Sequence, residues 1–257
     1  MLHDLISITI AFFGGFLPSI VWLVFWNEEK RKHEPKNMLA LAFIGGMAAV
    51  FLSLLFEKIA FTADPNVFFP GNFLQSILGW FKNISVEKSI PLNQLLLVTV
   101  FAPFIEEFLK FIMAYISVLR SRYDNEPIDP IIFMITTALG FAAIENMLFL
   151  MDPISTNNLH LSIYTGNMRF IGAMLLHTVS SATVGIFIGF NLFDKKIRGT
   201  FWTLVGICSA ILIHALFNFF MMSSGQNYLI VLEVIWITVI IVLFVLEKIK
   251  KIKLEKI

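Results

Sequence analysis

APFIEEFLK, residues 102–110, places two adjacent glutamates and a lysine inside an apolar run. The residues before it (LNQLLLVTVF, 92–101) and after it (FIMAYISVL, 111–119) offer no polar face on which those charges could meet water. The question is why a chain would put charge there. The rest of the chain decides. Of its 257 residues 58% are hydrophobic, more than the half that is usual for a soluble domain, and long apolar runs recur from end to end.

Seven candidate membrane helices of roughly 20 residues follow. They span 5–26, 38–56, 94–119, 130–151, 168–192, 200–222 and 228–246. The expected fold is all-α and polytopic, a single transmembrane domain over 1–257 with its functional core at about 94–222. The residues ahead of the first run, MLHD, hold no Lys or Arg, so that run reads as a permanent span and not a cleaved signal. The one cysteine, Cys208, excludes an intrachain disulfide and a cysteine-rich metal knuckle. A formal net charge of +1, with no basic patch, argues against nucleic-acid binding.

Lys and Arg set the orientation. Lys30, Arg31, Lys32 and Lys36 lie in segment 27–37, Arg120 and Arg122 in 120–129, Lys195, Lys196 and Arg198 in 193–199, and five lysines in the tail from Lys248 to Lys256. The other side has only Lys58, Lys82 and Lys88, with Arg169 at a helix boundary. The positive-inside bias therefore places the N-terminus outside and the C-terminus in the cytoplasm. Segment 57–91 becomes an extracytoplasmic loop, and NFLQSILGWFKN (72–83) within it reads as a short interfacial helix.

Charge at the centre of a membrane helix costs about 2.5–3.5 kcal/mol per residue on insertion scales, so such residues face protein or water and not lipid. Glu106, Glu107 and Lys110 fall within about 100° of the third helix's circumference. Glu106 and Lys110, one turn apart, are expected to pair. Pro103 cannot donate to the Thr99 carbonyl, which predicts a kink. Glu145 and Asn146 lie near the outer end of the fourth helix. His177, Ser181, Gly185 and Gly189 form a stripe on the fifth, and Gly206, Ala210, His214 and Asn218 repeat it on the sixth; small residues one turn apart mark close helix contacts. Counted from the outer ends, Glu145 is about 9 Å deep, both histidines about 12 Å and Glu106 about 16–20 Å. One outward-facing cavity can collect them all.

Two carboxylates and two imidazoles suit the activation of water for attack on a carbonyl, with a His and an Asn one turn apart as hydrogen-bond donors to the resulting oxyanion. The alternative is a divalent ion such as zinc held by His177, His214 and one or more of Glu106, Glu107 and Glu145. The residues leave both open. Intramembrane Glu and His equally build a proton relay, so a proton-coupled transporter is a competing reading, although no repeated half is visible. A non-catalytic membrane scaffold is another.

EEFLK (106–110) matches EExxK, FAAIE (141–145) matches FxxxE, HTVSSATVG (177–185) supplies an intervening His with a small residue two turns on, and HALFN (214–218) matches HxxxN. In this order, on four successive helices, the motifs resemble those of the PrsW family of intramembrane proteases. That family is similar to the CAAX-type prenyl endopeptidase group, which has a His where this chain has Glu145. The resemblance implies a bacterial membrane protease, in the cytoplasmic membrane, that cuts membrane-anchored proteins near the outer face. The cut is site-1-like, with anti-sigma-factor-type regulators as a substrate class. It implies Glu106 as general base, Glu107 as its support or a ligand, and Lys110 as the holder of their charge state. His177 would orient water or bind metal, and His214 and Asn218 would stabilise the oxyanion. Glu145 would complete the catalytic set or a metal set with Glu106, His177 and His214.

Overall fold

The computed structural model describes residues 2–28, 35–62, 95–121, 126–155, 159–191, 197–223 and 228–250. All secondary structure among them is helical. Helices α1 (Leu2–Glu28), α2 (Lys36–Thr62), α3 (Ala102–Ala114), α4 (Asp129–Ser155), α5 (Leu159–Met168), α6 (Met174–Asn191), α7 (Ile197–Ser223) and α8 (Tyr228–Ile249) follow one another. Three π-helical turns interrupt the series: Leu97–Phe101 and Tyr115–Leu119 flank α3, and Arg169–Ala173 joins α5 to α6. An all-helical answer is what lipid demands, because every backbone N–H and C=O must be satisfied within the segment.

Six helices among the described residues are long and apolar enough to cross a membrane: Leu5–Glu28, Lys36–Ala60, Asp129–Met151, His160–Phe190, Gly199–Met222 and Leu229–Ile249. The fifth expected span proves longer than 168–192, since α5, its π turn and α6 run on as one segment. The remaining expected span, 94–119, is helical from Leu95 to Leu119 but is divided by its two π turns and carries three charges. It is thus not one of the six apolar spans. Segment 72–83, where an interfacial helix is expected, lies outside the described residues.

Helix α4 is the centre. It packs against α1, α2 and α6, while α7 and α8 pack on α6, and α3 on α2. Close approach explains the arrangement. A Cβ at Gly46 would lie 1.8 Å from the Thr137 carbonyl oxygen, and one at Gly140 would lie 2.0 Å from that of Phe43. Backbone against backbone, α2 and α4 admit no larger residue there. The small-residue stripe of α6 does the same job on another face of α4: a Cβ would come within 2.5 Å of Ile131 Cα at Gly185 and 2.1 Å of the Pro127 oxygen at Gly189. Gly206 brings α7 onto Val184 and Phe187 of α6. These contacts carry the polar faces of α3, α4, α6 and α7 to one place.

The π turn Leu97–Phe101 lies directly ahead of Pro103, where a kink is expected. A proline ring collides with the carbonyl four residues back, and a π turn, with its wider register, moves that carbonyl out of line.

Candidate active site

On α3, Glu106, Glu107 and Lys110 are all buried, Glu107 and Lys110 completely. The short pair is not the expected one. Lys110 Nζ donates to Glu107 Oε1 at 2.7 Å, whereas Glu106 Oε2 lies 3.9 Å away. The ammonium turns toward Glu107 because its other partner lies across the bundle: His177 Nδ1 on α6, at 2.8 Å. It also sits 4.5 Å from the centroid of the Phe141 ring, a cation–π contact that further offsets its burial.

The two glutamates therefore differ sharply. Glu107 is saturated. Its Oε1 accepts from Lys110, from His214 Nδ1 at 2.8 Å and from Ser180 Oγ at 2.9 Å, and its Oε2 accepts from Ser181 Oγ at 3.4 Å. Glu106 Oε2 is buried with no hydrogen-bond partner among the described residues. It lies 3.9 Å from His214 Nε2 and 4.0 Å from His177 Nδ1.

These partners assign the imidazole tautomers. A lysine ammonium only donates, so His177 Nδ1 accepts, and the ring proton resides on Nε2. That Nε2–H donates to Glu145 Oε2 at 2.9 Å. Glu107 only accepts, so His214 donates through Nδ1–H and presents the lone pair of Nε2 to Glu106. The two rings meet edge to face, their centroids 5.1 Å apart.

Glu145 stands on the far edge of His177, bonded there and to Arg169 Nη2. Arg169 Nε also donates to Asn146 Oδ1, and its guanidinium lies 3.9 Å from the centroid of Phe149. Sequence reasoning left Arg169 at a helix boundary. Its signal was present: an arginine about two turns before His177, in an apolar run that has no other charge. Ser180 and Glu57 were missed too. Asn218, one turn beyond His214, donates from Nδ2 to the Val98 carbonyl at 3.1 Å.

A cavity of about 370 Å³ brings most of these groups together. Glu106, Glu145, Arg169, His177, His214 and Asn218 line it, and its walls continue to Glu57, Phe149 and Met222 near the C-terminal ends of α2, α4 and α7. Glu107 and Lys110 do not line it. They brace it from behind.

Residues 34–246 match the PrsW-protease family, described as PrsW family intramembrane metalloproteases. The chain belongs to the PrsW family. Protease PrsW of Clostridioides difficile (strain 630) is 27% identical over 193 residues, covering 74% of this chain and 76% of that protein. Protease PrsW of Bacillus subtilis (strain 168) is 23% identical over 214 residues, 83% of each. That of Halalkalibacterium halodurans is 28% identical over 143 residues, 54% of this chain and 61% of the relative. No solved structure matches. This PrsW-family chain is accordingly an intramembrane protease and a multi-pass membrane protein.

The family description names a metal, and the donor set fits one. Glu106, His177 and His214 each offer a ligand atom, all within 4.8 Å of one another. Glu106 Oε2 and His214 Nε2 are open for coordination, a carboxylate oxygen and an imidazole nitrogen that suit zinc. His177 Nδ1, bonded to Lys110 at 2.8 Å, would have to exchange that bond to join them. Glu145 is outside this group and instead fixes the ring of His177, as carboxylates behind metal-binding histidines do.

Proposed function

We propose that this PrsW-family chain hydrolyses peptide bonds of membrane-anchored proteins near the outer face of the bacterial cytoplasmic membrane. The cut would be the first, site-1-like step of regulated proteolysis, with anti-sigma-factor-type regulators as the substrate class. Segment Leu95–Leu119, roughly 37 Å long at 1.5 Å per residue, serves as the seventh span, with Lys110 paired to Glu107 and Glu106 facing the cavity. Seven spans with the lysine-rich segments in the cytoplasm put the N-terminus outside. The cavity then opens outward, toward the ends of α2, α4 and α7.

One observation carries the catalytic reading: a buried carboxylate oxygen without a hydrogen-bond partner among the described residues, Glu106 Oε2, faces the lone pair of His214 Nε2 across 3.9 Å. Both are acceptors beside the cavity, and a water entering from it would donate one hydrogen to each. That leaves the water's own lone pair free for the scissile carbonyl. Glu106 takes one proton as the C–O bond forms and returns it to the leaving nitrogen as the C–N bond breaks, giving a carboxylic acid, which loses its remaining proton to water, and an amine. Glu107 holds His214 in the tautomer this requires, and Lys110 anchors both Glu107 and His177. Glu145, gripped by Arg169, holds the His177 ring in the tautomer whose Nδ1 accepts from Lys110. A divalent ion bound by Glu106, His214 and His177 would acidify water and polarise the carbonyl.

The test compares new protein N-termini in host membranes that express the native chain or Glu106→Gln at matched levels. New termini near the outer ends of transmembrane segments, absent with the variant, are expected. Identical termini from two folded proteins would refute the assignment of Glu106. Treatment with 1,10-phenanthroline then separates the mechanisms: loss of cleavage that zinc restores marks the ion as required, and full retention marks the carboxylate as sufficient.

A further inference from the structure

The proline ahead of Glu106 deprives a carbonyl of its helical partner. In the π turn Leu97–Phe101 the N–H of Ala102 bonds the Leu97 carbonyl, five residues back. The next bond in that register would run from residue 103 to the carbonyl of Val98. Residue 103 is proline and has no N–H. The Val98 carbonyl is thereby left over, and the bond it receives comes from another helix: Asn218 Nδ2 of α7, at 3.1 Å. One turn earlier on α7, His214 Nδ1 bonds Glu107 at 2.8 Å. Helix α7 is thus fastened at two points to the segment that carries Glu106.

We propose that Asn218 is a positioning residue. Its amide replaces the N–H that Pro103 lacks, and together with the His214–Glu107 bond it sets the gap between Glu106 Oε2 and His214 Nε2. This departs from the oxyanion role that the family resemblance implies for Asn218, because the backbone, not a substrate, holds the orientation of its amide. The functional part of the inference rests on Glu106 and His214 as the reacting pair. The structural part does not.

The test is a double-mutant cycle on the full chain in detergent: native, Asn218→Leu, Pro103→Ala and the double variant. In the native background Asn218→Leu strands the Val98 carbonyl and should lower Tm by roughly 3–8 °C. Pro103→Ala supplies a backbone N–H, so in that background the same substitution should cost less than about 2 °C. New N-termini should fall roughly 10- to 100-fold with Asn218→Leu and recover in the double variant to the level of Pro103→Ala. Equal Tm losses in both backgrounds overturn the proposal, as does cleavage lost without any Tm change, the mark of an oxyanion donor. If Asn218→Leu folds only in the Pro103→Ala background, the tether is supported; if it folds in neither, the tether is refuted. Should the native chain release no new termini, the protease assignment of the pair fails, and the Tm comparison alone decides the tether.

Discussion

Helices α1 and α4 have the same length, 27 residues, and nearly the same apolarity, yet they occupy opposite places. The apolar window of α1 has a mean hydropathy of 2.1 and is 17% buried; that of α4 has 1.8 and is 83% buried. The less apolar helix is the central one. Helix α8, with the highest mean hydropathy, 3.1, is only 33% buried, so apolarity does not rank the helices by burial. In lipid no hydrophobic force draws an apolar helix inward, since acyl chains solvate leucine as well as protein does. What draws a helix to the centre is the ability to let neighbours close and to find partners for polar groups. Helix α4 has Gly140 for the first, and Glu145 and Asn146 for the second.

The comparison can be broken most directly at the α2–α4 crossing. Gly140→Leu must force the Phe43 backbone away, so destabilisation beyond about 4 kcal/mol is expected, seen as loss of a monodisperse, cooperatively melting protein in detergent. Native-like melting would show that the crossing is not as close as described. Next in size is Lys110→Met. It leaves Glu107 and His177 buried without their shared donor and should cost about 3–5 kcal/mol, with cleavage abolished; thermal melts and N-terminal profiling check both. Glu145→Gln tests the polar side of α4 alone. Folding should survive, and cleavage should drop about 10- to 100-fold, as when a carboxylate behind a functional histidine is neutralised. Undiminished cleavage would remove Glu145 from the mechanism.

The smallest effects belong to α1 away from Gly15, where a Cβ would meet the Ala143 carbonyl oxygen at 2.3 Å. Gly14→Ala would bring a Cβ 2.7 Å from Leu150 Cδ1, the movable end of a side chain, so a cost within about 1 kcal/mol is expected. Val24, 57% exposed, should tolerate Ala within about 0.5 kcal/mol. A larger loss at Val24 in melting experiments would mean that another protein, not lipid, covers α1.

Much of this was legible in the sequence. Apolar runs of bilayer length admit only helices, because lipid offers the backbone no hydrogen bonds. Small residues at one-turn spacing announced the close contacts at Gly185, Gly189 and Gly206. The cost of burying charge singled out Glu106, Glu107, Lys110, His177 and His214 before any fold was known. Arg169 escaped because a charge near a helix end is easily read as an interfacial anchor.

Which glutamate is free was not legible. Glu106 and Glu107 are neighbours of identical chemistry, and helical spacing favoured a Glu106–Lys110 pair. The groups that saturate Glu107 and turn Lys110 toward it come from residues 67 to 107 positions away, on α6 and α7. The use of Asn218 on the Val98 carbonyl, 120 residues distant, is of the same kind. Sequence alone determined the solvent, the helices and the chemical inventory, since each follows from local composition and period. Only the tertiary structure decided which oxygen is left without a partner, because that depends on distances of a few ångströms between helices whose packing order no local pattern encodes.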